Sequence, residues 1–389
     1  MSQLSDRDVV IVEAVRTPIG RRNGSLSEIH PVELGAQVLK EVVSRAGTTP
    51  DVVEDVVFGC VSQRGEQSLN MGRNVVLAAA FPYTIPGATV DRQCGSSQAA
   101  VHFAANLIQS GVVDCAVGGG VESMSRHPLG SSVAQGGFPF TKSMTDQYAL
   151  TGQGQAADAI ARTWDITREQ IDEFGYQSHM KATRAREDGT FDKEVVAVDF
   201  EKEGVKGTLT RDEGPRPDTT PEKLAGLQPS FGEDGFHTAG NSSQISDGAA
   251  AVLLMSAARA KDLGLRPRAR IIAQAVVGSD PVLMLTGPIT ATPKVLEKAG
   301  LKLSDMDAIE INEAFASVVL AWQKELQPDL SKVNVNGGAI ALGHPVGATG
   351  ARLMTTLLHH LERTGGRYGH EVMCCGGGLG TATVIERLD

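Results

Sequence analysis

Three segments of this chain recur, in the same order, further along it. The apolar run Val9-Val10-Ile11-Val12 is matched by Arg270-Ile271-Ile272-Ala273, and Glu54-Asp55-Val56-Val57-Phe58-Gly59 by Asp307-Ala308-Ile309-Glu310-Ile311-Asn312. Asp114-Cys115-Ala116-Val117-Gly118-Gly119-Gly120 is matched by Glu371-Val372-Met373-Cys374-Cys375-Gly376-Gly377. Each pair is separated by about 250 residues, the signature of a duplicated unit. The runs are strand-like with helical stretches between them, so an α/β chain with two facing βαβ-rich halves is expected. The first half is read at 1–120, completed by about 247–268, and the second at 269–389. With 41% hydrophobic residues but only 4% aromatic, and 44 glycines, such halves can pack as close aliphatic layers.

Between them, 121–246 is charged and punctuated by Pro and Gly, as in Arg211-Asp212-Glu213-Gly214-Pro215-Arg216-Pro217. An insertion of this length is expected to form a separate lid or binding subdomain.

Reactive side chains fall beside glycines in three places: Cys94 in Asp91-Arg92-Gln93-Cys94-Gly95-Ser96-Ser97, His344 in Gly337-Gly338-Ala339-Ile340-Ala341-Leu342-Gly343-His344-Pro345, and Cys374 in Cys374-Cys375-Gly376-Gly377-Gly378. Ala88-Thr89-Val90 is β-prone, and Gly95 to Gly111 reads as a helix with Val101, Ala104, Ala105 and Ile108 at helical spacing. Cys94 therefore falls at a strand-to-helix turn, where the first N–H groups of a helix favour a developing anion. A lone cysteine is most often an inert buried hydrophobe. The turn, the glycines and the other two motifs reverse that reading. Only a few per cent of free thiol is ionised at neutral pH, so a base is needed; a His344 that lowered the Cys94 pKa by two units would contribute about 2.7 kcal/mol.

These motifs, in this order and at these spacings, resemble the thiolases, the acyl-CoA:acetyl-CoA C-acyltransferases. The likeness spans nearly the whole chain and extends to Arg16-Thr17-Pro18-Ile19-Gly20, Gly119-Gly120-Val121-Glu122-Ser123-Met124-Ser125, Ala239-Gly240-Asn241-Ser242-Ser243 and Asn312-Glu313-Ala314-Phe315-Ala316. It implies the thiolase fold: two duplicated βαβαβ-type halves in an α-β-α-β-α core, with 121–246 as a loop domain that binds CoA and contributes to a homotetramer, a dimer of dimers. It also implies roles. Cys94 would be the acylated nucleophile, His344 would activate it and stabilise the enolate, Cys374 would be the general acid/base, Asn312 would hold a water for the enolate oxygen, and the Gly376 N–H would bind the tetrahedral oxyanion. Ser243 and Arg216 would contact CoA. Cys375, normally apolar in the family, is read as packing. Asn312 and Glu313 could also cap a helix through Ala314-Phe315-Ala316.

The implied reaction is cleavage of 3-oxoacyl-CoA by CoA to acyl-CoA and acetyl-CoA, in fatty-acid or sterol side-chain β-oxidation; the alternative is condensation of two acetyl-CoA by an acetyl-CoA C-acetyltransferase. The His237–Gly248 region looks most like degradative actinobacterial thiolases. Where short-chain biosynthetic thiolases carry a His-Met pair, this chain has Gly152-Gln153, which is expected to leave room for a longer or bulkier acyl group. Gly152-Gln153-Gly154-Gln155-Ala156-Ala157 follows no apolar strand, so it is not read as a dinucleotide site. A ketoacyl synthase of the same fold would lack the second cysteine. A silent CoA-binding protein would have no use for Cys94, His344, Asn312 and Cys374 together, and a papain-like protease conflicts with the duplication.

A net charge of −10 argues against nucleic acid, and no basic amphipathic run invites a membrane. The five cysteines, Cys60, Cys94, Cys115, Cys374 and Cys375, form neither a disulfide framework nor paired CxxC zinc spacing. A cytoplasmic enzyme is expected, with acyl-CoA, acetyl-CoA and CoA as its partners, no metal, and no cofactor beyond CoA as a substrate.

Overall fold

The computed structural model describes residues 4–133 and 137–388. Its strands in chain order are β1 (Val9–Arg16), β2 (Gly20–Arg21), β3 (Asp55–Gly59), β4 (Gly87–Val90), β5 (Cys115–Ser123), β6 (Val198–Lys202), β7 (Val205–Leu209), β8 (Ser246–Ser256), β9 (Ala269–Gly278), β10 (Ala308–Ile311), β11 (Tyr368–Cys375) and β12 (Leu379–Arg387). The main sheet runs β10-β11-β12-β9-β1-β8-β5-β3-β4, with β2 paired to β8. β8 and β5 are buried along their whole length, which their runs of Ala, Val, Leu and Gly permit.

The duplication is visible in the pairing. In the first half β1, β8 and β5 are antiparallel neighbours and β5 then pairs parallel with β3. In the second half β9, β12 and β11 repeat the antiparallel order and β11 pairs parallel with β10. A short bridge between β1 and β9, Val10 to Arg270 and Ile11 to Ala269, joins the halves. Helices Ser96–Gln109 and Thr349–Thr364 pack against each other and touch strands of both halves. Helices Pro31–Arg45 and Met71–Ala78 cover the outside of the first half, and Gly287–Ala299 the outside of the second. The order is helix, sheet, helix, sheet, helix.

The two central helices cross at a point only glycine allows. A Cβ on Gly350 would lie 2.4 Å from the Gln98 nitrogen, and the Ser97 hydroxyl accepts the Ala351 N–H at 2.9 Å beside it. Gly120 serves a similar close approach, since a Cβ there would stand 2.0 Å from the Gly347 carbonyl oxygen. Both contacts bring the His344 loop down onto the half that carries Cys94.

From Ser123 to Ser246 the chain leaves the main sheet and forms helices Lys142–Gln147, Gln153–Thr163, Arg168–Glu187 and Pro221–Ala225 with the β6–β7 hairpin. Arg16 ties this segment to the core. Its buried guanidinium bonds Glu194 at 2.6 Å and Asp212 at 2.7 and 3.0 Å, and it stays charged although burial opposes this, because both carboxylates face it.

One buried cluster carries a stability consequence. Glu310 and Glu371 are partners across β10 and β11, and Arg352 approaches Glu310 at 3.8 Å. Among the described residues neither Glu371 carboxyl oxygen has a hydrogen-bond partner. Burial, opposed by Arg352, pushes both up: Glu371, with Glu310 adding to the effect, well above the usual carboxylate range, and Glu310, with Glu313 and Glu194 adding to it, up to about 8. A folded-state pKa above the unfolded one stabilises the protonated native state, and that stability is lost as pH rises from the unfolded value. Glu371→Gln should therefore raise the melting temperature at pH 8, a gain of about 1–3 kcal/mol, because the native carboxyl must take up a proton that the unfolded chain has released and an amide need not. The gain should vanish towards pH 5. Thermal melts at the two pH values check this, and a variant less stable than wild type at pH 8 contradicts it.

Candidate active site

Cys94 lies between β4 and helix Ser96–Gln109, with Gln93 turning the chain at φ 51°. The turn is pinned by the Ser96 hydroxyl, which donates to the Gln93 carbonyl at 2.6 Å and accepts the Arg92 N–H at 2.9 Å. The thiol is 2% exposed and packs with Met124, Val346, Leu353, Met373 and Cys375. Its sulfur is approached by two backbone N–H groups, that of Gly376 and its own.

Cys374, one residue before the end of β11, is fully buried, with Cys94 close enough that a charge on one disfavours a charge on the other. The Asn312 amide donates towards the Cys374 sulfur at 3.8 Å, and the Ala314 N–H also faces it. Asn312 leaves β10 held by its N–H to the Val372 carbonyl at 3.0 Å. Its side-chain oxygen is buried without a partner among the described residues.

His344 is buried at the end of the glycine-rich turn. Its N–H reaches the Gln244 carbonyl at 3.2 Å, and Nδ1 stands 2.7 Å from the Thr349 hydroxyl. That hydroxyl donates its one proton to the Pro345 carbonyl at 2.9 Å, so it accepts from Nδ1–H. Nε2 then carries the free lone pair, and it has no partner among the described residues. Thr349 thus selects the tautomer in which Nε2 can act as a base.

The protonation states differ from a thiolate–imidazolium pair. Burial pushes the Cys94 thiol up to about 11, against the two N–H groups that favour the thiolate. Burial, together with the nearby Arg352 charge, takes His344 down to about 3, and burial and Cys94 push Cys374 up to about 12. The expected lowering of the Cys94 pKa is therefore not what the resting site holds. The pair is neutral, and the proton moves during attack. Alkylation of Cys94 by iodoacetamide should speed up about tenfold per pH unit between pH 6 and 9, as thiolate grows below a high pKa. Inactivation rates across that range check it; a plateau below pH 8 would show a preformed thiolate.

Ser243 lies against the segment that follows Asn312, its N–H on the Ala314 carbonyl at 2.9 Å. Arg216 is exposed on the inserted segment, where its backbone N–H bonds His179 at 3.3 Å. The expected cap at Asn312 and Glu313 is absent. The helix begins at Ala316 with Phe315 at its N-cap position and no side-chain cap, because Asn312 turns to Cys374 while Glu313 bonds Ser178 at 2.6 Å and Asn334 at 2.9 Å. Gly152 opens less space than its missing side chain suggests, since a Cβ there would meet the Gln155 amide oxygen at 2.6 Å. The Gln153 amide nitrogen lies 2.9 Å from where a Cβ on Gly376 would stand, beside the nucleophile.

Several positioning residues escape a reading by motif. Glu122 receives the N–H groups of Val61 at 2.9 Å, Ser62 at 3.0 Å and Gly347, and so anchors the His344 loop to β5. Thr349 was signalled only by lying one turn beyond Pro345. All five cysteines are free, and no group of three or more metal-ligating side chains occurs among the described residues. No described helix is long and apolar enough to cross a membrane.

The model of the thiolase N-terminal domain matches residues 9–258 and that of the thiolase C-terminal domain residues 265–387. The chain is 48% identical to the steroid 3-ketoacyl-CoA thiolase FadA6 of Mycobacterium tuberculosis, over 98% of this chain and 94% of the relative. It is 42% identical to the 3-ketoacyl-CoA thiolase of Bacillus subtilis, over 98% and 99%. The crystal structure of the acetyl-CoA acetyltransferase of Bacillus anthracis superposes with a TM-score of 0.91 at 43% identity, covering 98% of this chain and 99% of that one.

Proposed function

The chain belongs to the thiolase family, and on that premise we propose that it is a 3-ketoacyl-CoA thiolase, an acyltransferase that cleaves 3-oxoacyl-CoA with CoA. The observation that carries the reading is the pairing of two buried thiols from opposite halves: Cys94 under the Gly376 N–H, and Cys374 under Asn312 and the Ala314 N–H.

In the reaction His344 Nε2 takes the Cys94 proton as sulfur attacks the 3-keto carbon. The Cys94 and Gly376 N–H groups stabilise the alkoxide. Collapse breaks the Cα–Cβ bond and leaves an acyl thioester on Cys94 and the enolate of acetyl-CoA. His344 and a water on the free Asn312 oxygen stabilise this enolate, and the Cys374 thiol protonates its carbon. Incoming CoA gives its thiol proton to the Cys374 thiolate and attacks the acyl group; Cys94 leaves and recovers its proton from His344. Two neutral thiols and a neutral imidazole begin and end the cycle, in keeping with their buried resting states.

CoA is here a substrate, held by Ser243 and, nearer its phosphates, Arg216, and no cofactor enters the cycle. The insertion 121–246 acts as the CoA-binding and assembly domain between the halves 1–120 (with 247–268) and 269–389. Assembly as a homotetramer, a dimer of dimers, is part of the same reading; β4, which ends the main sheet half-buried with Leu69 and Tyr83 exposed nearby, supports one of its interfaces. We place the enzyme in the cytoplasm, in keeping with five free thiols.

The relative named for steroid substrates supports an acyl group larger than acetyl. The test is thiolysis of a ladder of 3-oxoacyl-CoAs, from acetoacetyl to long-chain and sterol-derived, with both products followed by mass spectrometry. A maximum beyond acetoacetyl-CoA is expected. Preference for acetoacetyl-CoA alone would make it an acetyl-CoA C-acetyltransferase, and no cleavage of any member would overturn the reading.

A further inference from the structure

The cycle leaves one buried acid–imidazole pair unused. Asp158, on helix Gln153–Thr163, and His237, on the approach to Asn241-Ser242-Ser243, are both almost fully buried. Asp158 Oδ1 lies 2.7 Å from His237 Nδ1 and also receives the N–H groups of Phe236 at 2.9 Å and of His237 itself at 3.1 Å. Two backbone N–H groups already end on Oδ1, and although burial opposes it these bonds and the imidazole hold the carboxyl below the usual range; Asp158 is thus a carboxylate, Nδ1 carries the proton between them, and the ring orientation is set from outside the loop. Nε2, by contrast, has no partner among the described residues.

An alkyl side chain would fill this place without a buried orphan nitrogen, which is costly to keep. What the imidazole adds is a ring locked in one orientation, and that ring packs on Phe315. The ring centroids are 5.4 Å apart at 82°, and Phe231 approaches Phe315 at 5.6 Å and 78° from its own side. Phe315 adjoins the strip that matters. Ala314, next to it, turns its N–H to the Cys374 sulfur, and Asn312 holds its amide there. The strip is stitched to the His237 loop by Ser243 N–H to the Ala314 carbonyl at 2.9 Å and Ala316 N–H to the Asn241 carbonyl at 3.1 Å.

We propose that His237, oriented by Asp158, is a positioning residue for the acid/base half of the reaction: through Phe315 it sets the 312–316 strip, and with it Asn312 and the Ala314 N–H, against Cys374. It has no part in acylation of Cys94, which rests on the turn after β4, the Gly376 N–H and the His344 loop. The proposal builds on the roles given to Cys94 and Cys374 above.

Two partial reactions separate the halves. Exchange of labelled CoA into acyl-CoA makes and breaks only thioesters: Cys374 starts and stays a neutral thiol, and His344 passes the single proton between the Cys94 and CoA sulfurs, whereas exchange of the α-hydrogens of acetyl-CoA with D2O breaks a C–H bond and needs Cys374. His237→Ala should slow α-hydrogen exchange by about tenfold to a hundredfold, the cost of a small misplacement, while CoA exchange stays within about twofold. Melting curves establish that the variant is folded. If it is not, His237→Asn, which keeps an N–H towards Asp158 but loses the ring on Phe315, carries the same comparison with the same expected split. Equal losses in both exchanges, or no loss in either, would overturn the proposal. Absence of α-hydrogen exchange in the wild type would instead overturn the role given to Cys374, so the two failures are distinct.

Discussion

Cys94→Ser is expected to lower thiolysis by about 10⁴- to 10⁶-fold, the scale on which loss of a nucleophile acts when the rest of the site is intact. The serine hydroxyl is about the right size for the space among Met124, Val346, Leu353 and Cys375, so the fold should survive. What is lost is the leaving ability and nucleophilicity of sulfur. The pKa of Cys94 is already pushed up to about 11 by burial, and a hydroxyl in the same desolvated place would be far harder for His344 to deprotonate. Steady-state rates with the preferred 3-oxoacyl-CoA, together with a melting curve, check the result. A variant that keeps more than about one-hundredth of the activity would mean that Cys94 is not the nucleophile.

The second large effect is at Cys374. Replacement by alanine should reduce thiolysis and acetyl-CoA condensation by about 10²- to 10⁴-fold, the usual contribution of a positioned proton donor. The variant should still take up an acyl group from acyl-CoA on Cys94, because the Gly376 N–H and the Cys94 turn do not depend on the Cys374 side chain. The two variants thus separate: one loses the covalent intermediate, the other keeps it and stalls at the enolate. Near-normal turnover by Cys374→Ala would remove the acid/base assignment.

The duplication could be read from the sequence because β1 and β9, β3 and β10, and β5 and β11 repeat the same apolar patterns, and short-range pattern decides strand formation there. That Cys94, Cys374 and Gly376 would lie together was implied by the resemblance, and it fits a related reason: glycines beside a reactive group restrict where the backbone can go. Contacts that cross between halves left no local trace. The hold of Glu122 on Gly347 spans β5 and the His344 loop, and the Asp158–His237 pair joins residues 79 apart in sequence. The protonation states were illegible too. A motif shows which thiol can meet which imidazole, whereas burial in the finished fold decides that both start neutral. The cap expected at Asn312 and Glu313 failed similarly, since both side chains have partners elsewhere in the fold: Cys374 for one, Ser178 and Asn334 for the other.

The most direct test of the account is to mix the wild-type protein with a 3-oxoacyl-CoA in the absence of free CoA, quench in acid, and locate any adduct by mass spectrometry of the peptides. The account predicts an acyl group two carbons shorter than the substrate chain on the peptide containing Cys94, with acetyl-CoA released in equal amount. An adduct that keeps every carbon of the substrate, an adduct on Cys374 or Cys375 instead, or acetyl-CoA release with no adduct at all would contradict it.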